Sequence, residues 1–82
     1  MTHRTELRLP DLGFGDREVI LSVWLVETGR AVTEGDRLVE VLAGSATVDL
    51  PAPASGVLEA TFAAEDEIIA ADQLLAVIAS DD

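Results

Sequence analysis

Side chains that could act as nucleophiles or proton-transfer groups are scarce in this sequence. It has no cysteine, no lysine among its five basic residues, and one histidine, His3. A serine hydroxyl needs an adjacent base to become a nucleophile. Ser45 follows Gly44 with no base near it in the sequence, and we expect His3 to lie in a frayed N-terminus. We therefore interpret Ser45 as a turn residue and predict no catalytic residue.

The carboxylates of Glu65, Asp66, Glu67 and Asp72 form the main group that could bind a cation. Calcium needs six or more oxygen ligands from a suitably looped chain, and this spacing matches no EF-hand. Nitrogen and sulfur ligands for other metals are missing. A pair of carboxylates for hydrolysis would need a cleft that a small domain does not offer. We interpret the group as a solvated acidic turn and predict no metal site.

The charge balance restricts the classes of partner. Sixteen Asp and Glu residues against five Arg residues give a net charge of −11. Nucleic acids and anionic membranes bind through patches of Lys and Arg, so we predict neither as a partner. The acidity favours solubility, or a protein partner with a basic surface. No apolar run reaches the length of a signal-sequence core or a membrane span, and we expect a monomeric cytoplasmic protein.

Length and hydrophobic patterning predict an all-β domain. The 82 residues, 49% of them hydrophobic, predict one packed domain over 1–82, with a core at about 6–79 and frayed termini. Apolar residues recur with a period near two, and turn formers interrupt them every eight to twelve residues. The alanine- and glutamate-rich segment 63–75 is the one helical alternative. Strands are predicted around residues 7–9, 19–26, 32, 38–43, 46–50, 57–62, 68–69 and 74–78.

The clearest local unit is a hairpin. Two alternating runs, 38–43 and 46–50, flank the pair Gly44-Ser45. A glycine in first place suits a type II′ turn, whose twist matches that of the flanking strands. The segment 51–53, Pro-Ala-Pro, cannot donate ladder hydrogen bonds at its prolines, which predicts an edge or a crossover.

The sequence also contains an internal repeat. A shift of 36 residues places Gly35-Asp36-Arg37-Leu38 over Ala71-Asp72-Gln73-Leu74. Two similar halves predict two interleaved sheets related by an approximate two-fold axis.

Together these motifs resemble the lipoyl domains of 2-oxoacid dehydrogenase dihydrolipoyl acyltransferases, within the biotinyl/lipoyl-type carrier domains. The resemblance extends from residue 7 to residue 78, and it implies a flattened barrel or sandwich of two four-stranded antiparallel sheets. It is carried by the order and spacing of four stretches: Leu9-Pro10-Asp11-Leu12-Gly13-Phe14-Gly15, Trp24-Leu25-Val26 with Gly29 and Val32, Glu34-Gly35-Asp36 with Leu38, and Ala46-Thr47-Val48-Asp49-Leu50-Pro51-Ala52-Pro53 with Gly56 and Val57.

In that family, lipoate is attached through an amide to a lysine at the tip of an exposed hairpin, within Asp-Lys-Ala. The resemblance puts Ser45 at the lysine position and Gly44 at the aspartate position, followed by Ala46. Because the sequence has no lysine, it predicts that neither lipoate nor biotin is attached to a side-chain amine. Phe14 stands where the family has a glutamate, and this change affects a loop that the family holds near the tip.

Two hypotheses of function follow. The first is a non-catalytic lipoyl-like domain that acts as a protein-interaction or structural module, with no cofactor, and that docks through Phe14, Gly44, Ser45 and Ala46. Phe14 would then be exposed at the loop tip, although it could equally pack against the sheet. The alternative is a fragment or altered form of a lipoyl carrier domain in which serine replaces lysine. An enzymatic function finds no support in the sequence.

Overall fold

The chain folds into short strands throughout. The structure, a computed structural model, describes residues 1–13, 15 and 17–81, and this part contains strands and turns but no helix. The helical alternative for residues 63–75 is therefore wrong, because turns flank a two-residue strand there. The strands are β1 (Thr2–Arg8), β2 (Val19–Trp24), β3 (Ala31–Val32), β4 (Arg37–Ala43), β5 (Ala46–Pro51), β6 (Gly56–Thr61), β7 (Ile68–Ile69) and β8 (Leu74–Asp81).

The strands form two four-stranded antiparallel sheets, which confirms the expected fold class. The terminal sheet has the order β1-β8-β6-β3, and the hairpin sheet has the order β5-β4-β2-β7. The short strand β3 thus lies in the terminal sheet, although its neighbours along the chain, β2 and β4, are in the hairpin sheet. The short strand β7 lies in the hairpin sheet, although β6 and β8 are in the terminal sheet. No ladder joins the two sheets within the described residues, so they form a sandwich and not a closed barrel. The described residues also include no helix that could cross a membrane.

The internal repeat is present, but its period differs from the predicted 36 residues. Equivalent strands start one residue further apart than the predicted shift. The pairs of starting residues are Val19 and Gly56, Ala31 and Ile68, and Arg37 and Leu74. The ladders follow the same correspondence, including an irregularity in β2 that recurs in β6. The 36-residue shift aligned like residues, Asp36 with Asp72. The fold instead aligns residues of like backbone conformation.

The turns before β4 and β8 show why backbone conformation, and not residue type, determines how the two halves of the repeat align. Gly35 has a φ of 93° and Asp72 a φ of 67°, both at the third position of a four-residue turn closed by a backbone hydrogen bond. This position of a type II turn requires a positive φ, which glycine adopts freely and aspartate tolerates. The predicted alignment instead paired Gly35 with Ala71.

The core lies between the sheets and consists of alternate strand residues, except where the ladders of β4 and β8 are irregular and two adjacent residues are buried. Its largest fully buried side chains are aliphatic, and none of the polar residues that the structure describes is buried. Burying one such side chain contributes about 1.5–3 kcal/mol. Trp24 packs against the edge of this core, and its indole N–H donates to the carbonyl of Ala63 at 2.9 Å, as expected for a half-buried strand residue. The largest fully buried side chains are those of Leu21, Leu38, Leu58, Leu75, Ile78, Val39 and Val41.

Both chain ends are paired. β1 begins at Thr2 and β8 ends at Asp81, so regular structure extends beyond the expected core of residues 6–79. His3, expected in a frayed terminus, lies opposite Ser80 in the β1–β8 ladder. The Ser80 hydroxyl donates to the Ser55 carbonyl, and the Ser55 hydroxyl accepts from the Glu34 N–H in the turn before β4. The paired ends therefore lie beside the start of β4.

Candidate functional site

The two residues that connect β4 and β5 form a tight exposed turn. Ala43 and Ala46 are opposite each other in the ladder, and Gly44 and Ser45 project beyond them. Gly44 has a φ of 63°, while Ser45 has no positive φ. This combination is that of a type II′ turn, with glycine at the position that requires left-handed backbone. The predicted hairpin is confirmed.

The turn stands at one end of the molecule. It follows the last residue of β4, whereas the chain ends lie beside the first residue of that strand. Seven strand residues at about 3.3 Å each put roughly 20 Å between the two places. The molecule is elongated, with a longest dimension of 40 Å. A partner can therefore approach the turn without contacting the chain ends.

Three of the four predicted site residues lie together at the turn. Gly44 and Ser45 are exposed, and Ala46 is half-buried at the start of β5. The fourth, Phe14, lies outside the described residues. The sequence did not reveal that the Arg17 side chain lies against Gly44, where a Cβ atom would stand 3.1 Å from Arg17 Nη1. No sequence motif marks this contact, because it depends on where the loop before β2 returns to the sheet.

The described residues place no histidine beside the hydroxyl group at the turn. His3 is about 20 Å away, since it pairs with Ser80 near the other end of β4. No hydrogen bond from a described side chain reaches the Ser45 hydroxyl. An exposed serine hydroxyl without a base is a weak nucleophile.

The acidic residues after β6 hold their own turn together and connect it to β2. A Glu65 carboxylate oxygen accepts a hydrogen bond from the Trp24 N–H, and a Glu67 oxygen accepts one from the Ala64 N–H, each at 3.1 Å. Asp66 takes a φ of 70° at the turn's third position. These contacts tie the turn to β2. Within the part of the chain described, no group of three or more His, Asp or Glu side chains is arranged to bind a metal ion.

The terminal sheet carries the best-formed ion pair. Arg4 donates to both carboxylate oxygens of Glu59, at 2.7 Å and 3.1 Å. The hydrogen bonds from Arg4 hold the pKa of Glu59 below its ordinary value, and Glu59 in turn raises the pKa of Arg4. Arg4 lies on β1 and Glu59 on β6, so the pair spans β8 on the outer face. Both side chains are well exposed, which limits what the pair contributes to stability.

Several known proteins resemble this chain. A 77-residue stretch, 94% of the chain, is 32% identical to the dihydrolipoyllysine-residue acetyltransferase component of pyruvate dehydrogenase complex from Staphylococcus aureus, and covers 18% of that protein. The corresponding component from Staphylococcus epidermidis is 31% identical over 77 residues, with the same coverage of both proteins. A 50-residue stretch, 61% of the chain, is 42% identical to the lipoamide acyltransferase component of branched-chain alpha-keto acid dehydrogenase complex from Pseudomonas aeruginosa, and covers 12% of it.

The chain thus spans less than a fifth of the length of these relatives. The sequence model of the biotin/lipoyl family, described as "biotin-requiring enzyme", matches residues 5–78. This match includes all of β2 to β7 and most of β1 and β8. With the two antiparallel sheets and the exposed hairpin, it shows that the chain belongs to the biotin/lipoyl domain family.

Proposed function

We propose that this domain is a biotin/lipoyl-type fold that carries neither lipoate nor biotin and acts as a protein-interaction module. The observation that carries the proposal is the residue at the hairpin turn. Ser45 is exposed there, at the position that the family resemblance gives to the attachment lysine, and the sequence contains no lysine. A lysine amine forms a stable amide with an activated acyl group, whereas a hydroxyl would form an ester. The residues present do not fit the prosthetic group.

The proposed docking surface is the hairpin end, comprising Phe14, Gly44, Ser45 and Ala46. Support comes from the exposure of the turn and from its distance of roughly 20 Å from the paired chain ends. The net charge of −11 favours a partner with a basic surface, because opposite potentials speed encounter and orient the partner. The same proposal includes a monomeric state and a cytoplasmic location.

A second candidate function is that of a lipoyl carrier domain, as a fragment or an altered form in which Ser45 replaces the lysine. Similarity to acyltransferase components over 94% of the chain, and a hairpin that keeps its turn, favour it. In this case the surface that a lipoate ligase recognises would still be present. The two candidates therefore differ in what restoring the lysine would do.

The experiment is intact-mass spectrometry after co-expression with a lipoate ligase and lipoate. We expect the unaltered chain to keep its bare mass, and an added lipoyl mass would refute the proposal. The informative variants are Ser45→Lys and the pair Gly44→Asp with Ser45→Lys. A matched control is Thr47→Lys, which puts a lysine on the same strand two residues from the turn.

The variants separate the two candidates. If both Ser45→Lys and the double variant remain bare while a lipoyl domain from a relative is modified in parallel, the recognition surface has diverged and the interaction module is supported. If either variant gains a lipoyl group and Thr47→Lys does not, the altered carrier is the better description. Because Arg17 lies against Gly44, the double variant also tests whether that side chain can move aside.

A further inference from the structure

The outer face of the hairpin sheet carries a row of large aliphatic residues beside the turn. Leu42 of β4 is directly opposite Ile20 of β2, and Ile20 is directly opposite Ile68 of β7. Their neighbours along the strands, including Leu21 and Ile69, point into the core, so these three side chains point outward. Ile68 is 59% exposed, and Ile20 and Leu42 are half-buried. We call these three residues the apolar row.

The equivalent place on the terminal sheet lacks such a row. There the correspondence of strands puts Ala79, Val57 and Ala31 side by side, in the order of the apolar row. The ion pair between Arg4 and Glu59 also spans that face. Because the two sheets have the same ladders, the fold itself does not require large aliphatic side chains on the outside. The apolar row is a property of the hairpin sheet alone.

A shallow groove joins the apolar row to the hairpin turn. It is lined by Arg17, Glu18, Ile20, Leu42 and Gly44. The row thus continues into the exposed turn, and the groove has aliphatic walls with a charged end. Large aliphatic side chains that remain accessible beside a concave surface are typical of docking sites for protein segments.

Acidic groups border the apolar row. Glu18 lines the groove together with Arg17, and Asp66 and Glu67 are tied by backbone hydrogen bonds to Leu21, next to Ile20. These three acidic residues outnumber the single arginine. A second copy of this chain would bring another charge of −11 against the same face, which opposes self-association. A basic occupant is attracted instead.

The dimensions of the row suit a helix lying across the strands. Three neighbouring strands place the outer members of the row about 10 Å apart. Residues i and i+7 of an α-helix are separated by about 10.5 Å along its axis, with i+4 between them on the same face. We propose that the apolar row binds a basic amphipathic helix of a partner protein, whose apolar side chains at i, i+4 and i+7 contact Leu42, Ile20 and Ile68. This rests on the proposed function as an interaction module and adds a surface and a partner chemistry to it.

The test uses a synthetic helical peptide with leucines at i, i+4 and i+7 and Arg or Lys at the exposed positions. Two control peptides separate the contributions: one has the same composition with the leucine spacing scrambled, and the other replaces the basic residues with Glu. Binding to the intact chain is followed by methyl NMR. We expect the first peptide to shift the methyl signals of Ile20, Leu42 and Ile68, but not those of Val57, Ala31 and Ala79 on the terminal sheet.

Matched variants on the two sheets test which sheet the peptide contacts. Ile20→Thr and Val57→Thr make the same change from an aliphatic to a polar β-branched residue at equivalent strand positions, and circular dichroism checks that each variant folds. We expect Ile20→Thr to weaken binding at least tenfold and Val57→Thr to change it less than twofold. The scrambled and acidic peptides should bind at least tenfold more weakly than the first peptide.

Three results would overturn this proposal: equal weakening by both variants, equal binding of the scrambled peptide, or shifts centred on the terminal sheet. A dimer in sedimentation that Ile20→Thr dissolves would also overturn it, because a second copy would then occupy the row. None of these results bears on lipoylation. A lipoyl group on the unaltered chain would instead refute the proposed function and leave the binding result standing.

Discussion

The hairpin sheet and the terminal sheet share a framework and differ in what they present outward. Ladders, bulges and turns correspond residue by residue, with Leu21 matching Leu58 in the core. Outside, the hairpin sheet has the apolar row, and the terminal sheet has small residues and the ion pair of Arg4 with Glu59. The hairpin sheet ends in the Gly44-Ser45 turn where the terminal sheet ends in the two chain ends. The two sheets therefore share the residues that form the core and differ in the residues that they present at the surface.

The largest expected effect on stability comes from truncating buried leucines in the framework that the two sheets share. Leu21 and Leu58 are both fully buried at equivalent positions, so Leu21→Ala and Leu58→Ala should each cost about 2–5 kcal/mol of unfolding free energy through lost transfer energy and a cavity. Because the surroundings correspond, we expect the two costs to agree within about 1 kcal/mol. Urea unfolding followed by circular dichroism measures both. A clear inequality would show that the two sheets pack differently despite their common ladders.

The second-largest effect is expected at a position where the two sheets have different residues. Val19 corresponds to Gly56, and a Cβ atom at Gly56 would overlap the backbone carbonyl of Ala79, whose carbon would lie only 2.8 Å away. Gly56→Ala should therefore cost at least the upper end of the range of about 1–3 kcal/mol for overpacking.

The control for this prediction is Val19→Ala, which removes two methyl groups from a half-buried side chain and should cost about 1 kcal/mol. Thermal unfolding compares the two variants. If Gly56→Ala were the milder change, the close approach of β6 to β8 would not be a constraint on the fold.

The smallest effect concerns the ion pair of Arg4 with Glu59 on the terminal sheet. The pKa of Glu59 is lowered in the folded state, so the pair stabilises the fold above the ordinary glutamate pKa of about 4.3. That stabilisation is lost as the pH falls through the lowered value. Glu59→Gln should lower the melting temperature slightly at pH 6 and not at the acidic end of the titration.

Melting curves between pH 6 and pH 3 measure the difference between the unaltered chain and Glu59→Gln. Because both partners are exposed, 1 M salt should abolish the difference. The control is the double variant Arg4→Gln with Glu59→Gln. Its melting temperature should differ little from that of Glu59→Gln, because the ion pair is already lost in the single variant. A difference that persists in 1 M salt would mean that Glu59 acts through something other than its charge.

Local patterns predicted the framework well because each rests on a short stretch of chain. The alternation of residues 38–43 and 46–50 with Gly44-Ser45 between them was enough for the hairpin and its turn type. The period of the repeat was wrong by one residue because chemical likeness between Asp36 and Asp72 concealed a likeness of backbone between Gly35 and Asp72. A match of residue types does not by itself reveal the backbone angle φ at those residues.

The features of the candidate site that the sequence missed are all contacts between distant segments. Arg17 lies against Gly44, 27 positions further along the chain, and the apolar row joins residues of three different strands. Alternation could have placed Ile20 and Leu42 on outward faces. It could not make them neighbours, because their adjacency depends on the order of strands within the sheet.

Because the two sheets correspond, the same strands could be connected in a different order along the chain. Thr2 pairs with Asp81 as closely as any residues across a ladder, and this place is the counterpart of the Gly44-Ser45 turn. A circularly permuted polypeptide, with a short bridge across the present ends and new ends opened between Gly44 and Ser45, would retain every ladder of the sandwich. In such a molecule the bridge would become the loop, and the surface beside the apolar row would carry the termini.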